Sequence, residues 1–230
     1  MQRARDAHQH PVETLLFFGI KPEFTVLEAW PGNGGWYTEI LAPLLAERGR
    51  PVVAQMPPDP ASPYVTSARR NFADKLAARP DVYGRVTLSA LGPGHFEVTP
   101  PGSVDLALSF NSLHAWMNLG FAPDALAALH RALKPRGIFG ITGHRGDPAR
   151  PQDPRATSGY VTEAHAIALI EAAGFELVAR SEINANPRDT RDHDQGVWAL
   201  PPSYRAGNRD RAKYQAIGES DRFTLKFRKR

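Results

Sequence analysis

The sequence predicts an α/β fold: a doubly wound, mostly parallel sheet of seven strands, with the last strand antiparallel. Short apolar runs typical of buried strands alternate with amphipathic helical segments, and 230 residues suit one such domain, 1–230. A long loop at residues 184–204, without a helix, precedes the last predicted strand and favours its reversal. Residues 1–21 are expected to form an N-terminal helical cap.

The predicted elements follow from the spacing of apolar residues and from the prolines and glycines between them. Helices are predicted over residues 6–20, 37–48, 63–78, 124–133 and 162–173. Strands are predicted over residues 25–30, 51–56, 85–91, 104–110, 137–142, 175–183 and 222–227. In the first helix, Val12, Leu15, Leu16 and Gly19 share one face. In a sheet of this kind the ligand lies beyond the carboxyl ends of the strands, so the loops after them are searched for the site.

The positive charge is concentrated at the end of the chain. The net charge is +4, whereas residues 203–230 hold six Arg and three Lys against three acids, which leaves a slight negative charge elsewhere. Such a tail can contact nucleic acid or an anionic membrane. The sequence has no aromatic–basic RNA-binding pattern, so a solvated edge strand whose charges discourage aggregation is favoured over nucleic acid.

The composition excludes several classes of site. There are no cysteines, so disulfides, a cysteine nucleophile and thiolate metal sites are excluded. The apolar run at residues 15–20 is too short to span a bilayer, and the polar first ten residues do not resemble a signal peptide. A cytoplasmic protein is therefore expected, although a periplasmic protein without its leader would have the same pattern. The oligomeric state does not follow from the sequence.

A glycine-rich loop follows the first predicted strand. Residues 31–35 read PGNGG, and a helix begins shortly after them. Glycine allows a backbone to approach a ligand closely, and a helix N-terminus offers free N–H groups. A dinucleotide-binding loop would need a third glycine where Tyr37 stands, which disfavours a nicotinamide oxidoreductase. An ordinary tight turn between strand and helix is the alternative interpretation.

Three segments resemble motifs of class I S-adenosylmethionine (SAM)-dependent methyltransferases. Glu28, Gly32 and Gly34 match the acidic residue and spaced glycines of motif I, with Trp30 in place of the first glycine. VDLAL at residues 104–108 resembles the fourth strand, and LKPRG at 133–137 resembles the turn before the fifth. The resemblance covers residues 22–145. It implies a Rossmann-like fold and SAM as cofactor, bound by the first loop including Asn33.

A closer resemblance extends over nearly the whole chain. The segments HPVETLLFFGI, WPGNGGWYTEILAP, GHRG, GVWALPPSY and ESDRFTLKF are similar to a bacterial family of predicted methyltransferases. This resemblance implies the same fold and cofactor and does not supply the methyl acceptor.

The end of the second strand departs from the methyltransferase pattern. An acid usually stands there and binds the ribose hydroxyls, whereas this chain has Gln55. A Gln amide donates and accepts hydrogen bonds but lacks the strength that a charge adds. Asp59 is the alternative ribose contact. Met56 beside the strand end and Asn111 after the fourth strand complete the predicted cofactor contacts.

Two histidines are candidate catalytic residues. His114 lies in LHAW after the fourth strand and resembles the base in the His–x–Trp segment of small-molecule O-methyltransferases. An unperturbed histidine titrates near pH 6.5 and takes a proton at neutral pH. His144 follows the fifth strand and faces the same crevice, and Arg145 either orients an anionic acceptor or forms a loop ion pair. No metal site is predicted, since the spacing of His193 and its neighbouring acids is not diagnostic.

The expected function is SAM-dependent methyl transfer to a small molecule. A protein or RNA methyltransferase is the first alternative, and a degenerate domain that binds SAM without catalysis is the second, favoured by Trp30 and Gln55. An open cleft would favour the macromolecular substrate. A cover formed by residues 1–20 or 195–204 would favour a small one, and residues 197–204 either cover the substrate or pack on the sheet edge.

Overall fold

The computed structural model describes residues 5–32 and 34–230 and contains a seven-stranded sheet in the order β3-β2-β1-β4-β5-β7-β6. The strands are β1 (Thr25–Ala29), β2 (Arg50–Gln55), β3 (Thr87–Ala90), β4 (Val104–Phe110), β5 (Leu133–His144), β6 (Phe175–Ser181) and β7 (Arg222–Lys229). Strands β1 to β5 pair in parallel, and β7 runs antiparallel to both β5 and β6. The predicted fold class is confirmed.

The helices lie between the strands and before β1. They are α1 (Asp6–Gln9), α2 (Pro11–Phe18), α3 (Thr38–Leu44), α4 (Pro63–Ala78), α5 (Pro80–Tyr83), α6 (Leu113–Asn118), α7 (Ala122–Ala132), α8 (Glu163–Ala172) and α9 (Arg211–Ile217), with a 3₁₀ turn at Gly196–Ala199. The bounds of α4 match the prediction. The short helices α5, α6 and α9 were not predicted, because one or two turns of helix show too little periodicity in their apolar residues. None of the described helices has the length and apolar character to cross a membrane.

The N-terminal helix predicted as one is two. His10 adopts a left-handed backbone (φ 38°) between α1 and α2. The predicted buried face is also wrong in part, since Leu15 and Phe18 are buried while Val12 and Leu16 are 63% and 67% exposed. Because the helix breaks at His10, only a narrow stripe of α2 packs against the sheet. The apolar pattern of the sequence does not distinguish the residues of this stripe from the exposed apolar residues beside them.

The basic tail does not form an edge strand. Strand β7 is inserted between β5 and β6, and Phe223, Leu225 and Phe227 are completely buried. The connection before it also contains α9, so the expectation of a connection without helix is wrong. The alternation of charged and apolar residues predicts a strand here, but the same charges favour an edge position and gave no indication that β7 lies inside the sheet.

Helices cover both faces of the sheet. Leu27 and Phe139 belong to the larger core cluster with α7 and α8, while Val26 and Leu106 belong to the cluster with α2 and α3. Adjacent residues of β1 therefore enter opposite cores, as the pleat requires. This arrangement leaves the carboxyl ends of the central strands free to form a site.

Candidate active site

A cavity of about 390 Å³ lies beyond the carboxyl ends of β1, β2, β4 and β5. Its volume falls within the usual range of roughly 300–1,000 Å³ for small-ligand sites. The predicted site residues that line it are Glu28, Trp30, Gly32, Gln55, Met56, Asn111, His114 and His144. Asn33 lies outside the described residues. Gly34 is exposed and lies outside the cavity lining, where its carbonyl oxygen accepts a hydrogen bond from Lys75.

Trp30 keeps the backbone conformation that a glycine would adopt. Its φ is 54°, in the left-handed region, which costs a non-glycine residue roughly 1–2 kcal/mol. The indole Nε1 donates to the carbonyl oxygen of Leu91 at 2.8 Å. The ring also packs edge-on against Trp116, with centroids 6.3 Å apart, and against Phe121 at 5.6 Å. These contacts offset the backbone cost. Trp30, in place of the first glycine of motif I, therefore changes the wall of the cavity and preserves the turn.

Glu28 is a buried acid in the wall of the cavity. Its Oε2 accepts a hydrogen bond of 2.6 Å from the Thr38 hydroxyl. Burial raises the pKa of Glu28 to about 7, and the Thr38 bond and the charge of Lys75 partly oppose that rise. The carboxyl group therefore exchanges between neutral and charged forms near neutral pH and can donate or accept a hydrogen bond.

Gln55 and Asn111 supply amide groups to the cavity. Gln55 ends β2 and is buried, whereas Asp59 is exposed and its carboxylate accepts from the Ala61 N–H. Asn111 follows β4 with a left-handed φ of 57°. Its buried Oδ1 has no hydrogen-bond partner among the described residues. An unpaired buried acceptor costs roughly 1–3 kcal/mol, so a ligand that supplied a donor to Oδ1 after a small shift of the side chain would relieve that cost.

The two candidate histidines meet at one end of the cavity. Their ring centroids are 5.3 Å apart, and His114 also packs edge-on against Trp198 at 5.8 Å. Nδ1 of His144 lies 2.6 Å from the Ser220 hydroxyl. Burial lowers the pKa of His114 to about 4, from the value of 6.5 that an unperturbed histidine has. Burial, with the positive charges of His114 and Arg222, holds the pKa of His144 well below its usual range.

Two segments cover the cavity. Val197, Trp198, Pro201, Pro202 and Ser203 line it from the connection before α9, and Arg5 and Gln9 line it from the N-terminal region. The covering connection is anchored behind the cavity by Asp189. This buried carboxylate accepts from the Tyr160 hydroxyl at 3.0 Å and lies 2.9 Å from Nε2 of His193.

A charged cluster that the sequence did not predict lies beside the histidines in the cavity. Glu219, Ser220 and Arg222 line it together with Arg5 and Gln9. The charged run ESDR at residues 219–222, directly before a strand, was the available signal. It was interpreted as part of a solvated tail because the burial of β7 was not foreseen.

Arg145 forms ion pairs, which is one of the two roles that the sequence predicted for it. Its guanidinium contacts Glu182 at 2.8 Å, Glu163 at 3.7 Å and Asp221 at 3.8 Å. It does not line the cavity. In the described part of the chain, no group of three or more His, Asp or Glu side chains is arranged to hold a metal ion.

The fold is that of SAM-dependent methyltransferases. A SAM-dependent methyltransferase from Aquifex aeolicus superposes with a TM-score of 0.61 at 16% identity, over 98% of this chain and 92% of that one. Geranyl diphosphate C-methyltransferase from Streptomyces coelicolor gives 0.62 at 13% identity, over 99% and 80%. The cyclase SpnF gives 0.63 at 17% identity, over 97% and 80%. No protein-family model and no curated protein sequence matches the chain.

These similarities establish a class I methyltransferase fold. The presence of a cyclase among the similar structures means that the fold alone does not specify the reaction. The function has to be argued from the residues of the cavity.

Proposed function

We propose that this protein is a SAM-dependent methyltransferase that acts on a small-molecule acceptor. The observation that carries the proposal is the composition of one cavity at the carboxyl ends of the central strands. Gly32 and Gln55, from the ends of β1 and β2, line it together with Asn111, whose Oδ1 is unpaired among the described residues, and with the His114–His144 pair from the ends of β4 and β5. These groups have the chemistry needed for a cofactor and for an acceptor. Many SAM-dependent methyltransferases share the fold.

The groups at the ends of β1 and β2, with Asn111, fit SAM in their donors and acceptors. The Gln55 amide would bind the ribose hydroxyls, the Gly32 backbone allows close approach, and Asn111 Oδ1 would accept from an N–H group of the cofactor. Tyr37 and Phe110 present stacked aromatic rings to the cavity, and aromatic faces attract cations. When bound, SAM supplies an electrophilic methyl group on a sulfonium.

The histidine pair would orient the acceptor and take up its proton. His114 makes no hydrogen bond to another described residue, so its ring nitrogens remain available to an acceptor hydroxyl or amine. The low pKa keeps this ring neutral at pH 7, and it therefore has a free lone pair. Ser220 orients His144 through Nδ1. Orientation of the two reactants contributes to the rate alongside any proton transfer.

The covered cavity supports a small acceptor over a macromolecule. Trp198, Pro201 and Pro202 on one side and Arg5 with Gln9 on the other restrict access to the histidines. Part of the basic tail, which favoured an RNA substrate, forms a strand inside the sheet, where Arg222 is only 2% exposed, whereas Arg205, Arg209, Arg211 and Lys213 before that strand are exposed. The burial of β7 weakens the support for a nucleic-acid substrate and does not remove it.

Calorimetric titration with SAM and with S-adenosylhomocysteine tests the proposal. We expect saturable binding of both with one site per chain, followed by formation of S-adenosylhomocysteine when small hydroxyl and amine acceptors are added with SAM. Absence of binding by either compound would contradict the proposal. Binding without turnover on any acceptor would support the degenerate domain instead.

A further inference from the structure

A buried charged cluster forms the wall of the cavity next to the histidines. The Glu219 carboxylate accepts from Arg222 Nη1 at 2.9 Å, from Arg5 Nε at 3.0 Å and from the Gln9 amide. Two guanidinium groups thus share one carboxylate, and the cluster carries a net positive charge. His144 lies opposite Arg222 in the pairing of β5 with β7.

The Arg222 guanidinium has one donor without a partner among the described residues, Nε, which is itself almost inaccessible, so an anion in the cavity would be attracted by the charge of Arg222 and would reach Nε only after a shift of the side chain. Its side chain is 3% exposed and lines the cavity. Nη1 binds Glu219 and Nη2 donates to the carbonyl oxygen of His8, whereas the buried Nε has no partner among the residues that the structure describes. A buried N–H without an acceptor is costly, and more so on a charged group.

The neighbouring groups do not cancel the excess charge. Glu219 is already shared between two guanidinium groups, and the neighbouring histidines are neutral at pH 7. Glu28, the other acid in the lining, has a pKa of about 7 and is therefore only partly charged at that pH. Anchoring the N-terminal helices would account for the bonds of Glu219, since Arg5, Gln9 and His8 all belong to that region. It would leave the second positive charge and the free Nε of Arg222 unexplained.

We infer that this wall is an anion subsite and that the methyl acceptor carries a carboxylate or a phosphate bound by Arg5 and Arg222. Guanidinium groups bind both anions through charge-assisted hydrogen bonds. An anion bound there would lie beside His114 and His144. Its negative charge would also be attracted to the sulfonium of SAM in the same cavity. Calling the ligand the acceptor rests on the proposed function, whereas anion binding itself does not.

Benzoate, phenyl phosphate and benzamide are suitable probes, because the cavity has aromatic walls and the three compounds differ in charge at similar size. Binding is measured by calorimetry and by ligand-observed NMR, with and without S-adenosylhomocysteine. We expect one of the two anions to bind at least about tenfold more tightly than benzamide, and its affinity to fall as salt is raised. The tighter anion identifies the source as carboxylate or phosphate.

Two variants with opposite expected effects test the charge argument. Arg5→Gln, at the partly exposed edge of the cluster, should weaken anion binding by about fivefold or more. Glu219→Gln preserves shape while removing the competing carboxylate, so it should tighten anion binding. Arg209→Gln, which removes an exposed positive charge outside the cavity, is the matched control and should change nothing. Thermal unfolding establishes that each variant is folded. If Glu219→Gln does not fold, Arg5→Gln decides the question.

Equal affinities for benzoate, phenyl phosphate and benzamide would overturn the inference, as would absence of binding by both anions. Weakened anion binding in a folded Glu219→Gln variant would also overturn it and assign the cluster a structural role. S-adenosylhomocysteine binding without anion preference would contradict this inference alone. Anion preference without binding of SAM would contradict the proposed function alone.

Discussion

The imidazole rings of His114 and His144 face each other with centroids 5.3 Å apart and planes inclined by 46°. Protonation of His114 opposes protonation of His144, since the positive charge of one lowers the pKa of the other. At most one of the two rings is therefore expected to become a positively charged imidazolium during turnover. His114 is the preferred acceptor of the proton because its ring nitrogens are not engaged, whereas His144 is bonded to Ser220.

Replacement of His114 tests this assignment. His114→Gln removes the proton acceptor and retains a polar side chain of similar reach. Because a pKa of about 4 makes His114 a weak base at neutral pH, we expect kcat to fall by about 10²-fold, the lower end of the usual range for a general base. The dissociation constant of SAM, measured by calorimetry, should remain nearly unchanged. A loss of less than about threefold in kcat would instead assign His114 a packing role against Trp198.

The pH dependence of turnover should reflect the lowered pKa of His114. The active form is the neutral imidazole, which is present above the pKa and lost as the pH falls through about 4. Between about pH 7 and pH 5, His114 should therefore add no limb to the pH profile of kcat, whereas a histidine titrating near 6.5 would lose most of its neutral fraction. A limb near pH 6.5 that disappears in His114→Gln would contradict the effect of burial described here.

Restoring an acid at the end of β2 should strengthen cofactor binding. Gln55→Glu keeps the shape of the side chain and adds a charge that strengthens hydrogen bonds to ribose hydroxyls, so we expect SAM to bind about five- to tenfold more tightly. Asp59→Asn is the control, because Asp59 is exposed and does not line the cavity. A Gln55→Glu variant that binds SAM as the parent does would mean that Gln55 does not contact the ribose.

The buried acid Glu28 should make stability depend on pH. Its pKa is raised in the folded protein to about 7, so stability is greatest below its unfolded value near 4.5 and declines as the pH rises through 7. Glu28→Gln removes that decline and can still accept from Thr38. The variant should gain up to about 3 kcal/mol over the parent at pH 8.5, with little difference at pH 5. Urea unfolding at both pH values measures the gap, and a gap independent of pH would contradict the raised pKa.

The sequence predicted the strands well because each central strand is a mostly apolar run between turn residues. It predicted α4 with the observed bounds, since sixteen residues give a clear amphipathic period. It did not predict the break at His10 or the short helix α9, which depend on contacts distant in sequence. The charges of β7 predict an exposed strand, whereas Arg222 is buried between Glu219 and the carbonyl oxygen of His8, which lies 214 residues away in the sequence.

The site was predictable where it follows directly from strand ends. Gly32, Gln55, Asn111, His114 and His144 all come soon after a strand and reach the same cavity. Their environment was not predictable. The lowered histidine pKa values and the raised pKa of Glu28 come from burial, and burial depends on segments that fold over the cavity from both ends of the chain.

Cofactor binding at the glycine loop is the central claim, and calorimetric titration of S-adenosylhomocysteine into a matched pair of glycine variants tests it most directly. Gly32 lines the cavity with φ +71°, and a Cβ added there meets no atom within 4 Å, so Gly32→Leu would extend a side chain into the space meant for the cofactor. Gly207 has a similar φ of +64° and equal space, but it lies outside the cavity, so Gly207→Leu carries the same backbone cost without obstruction.

We predict that Gly32→Leu weakens binding of S-adenosylhomocysteine by about a hundredfold or more, because the leucine side chain and the ligand would occupy the same volume. Gly207→Leu should bind with the affinity of the parent protein. Parental affinity in a folded Gly32→Leu variant would contradict the account and place the cofactor elsewhere.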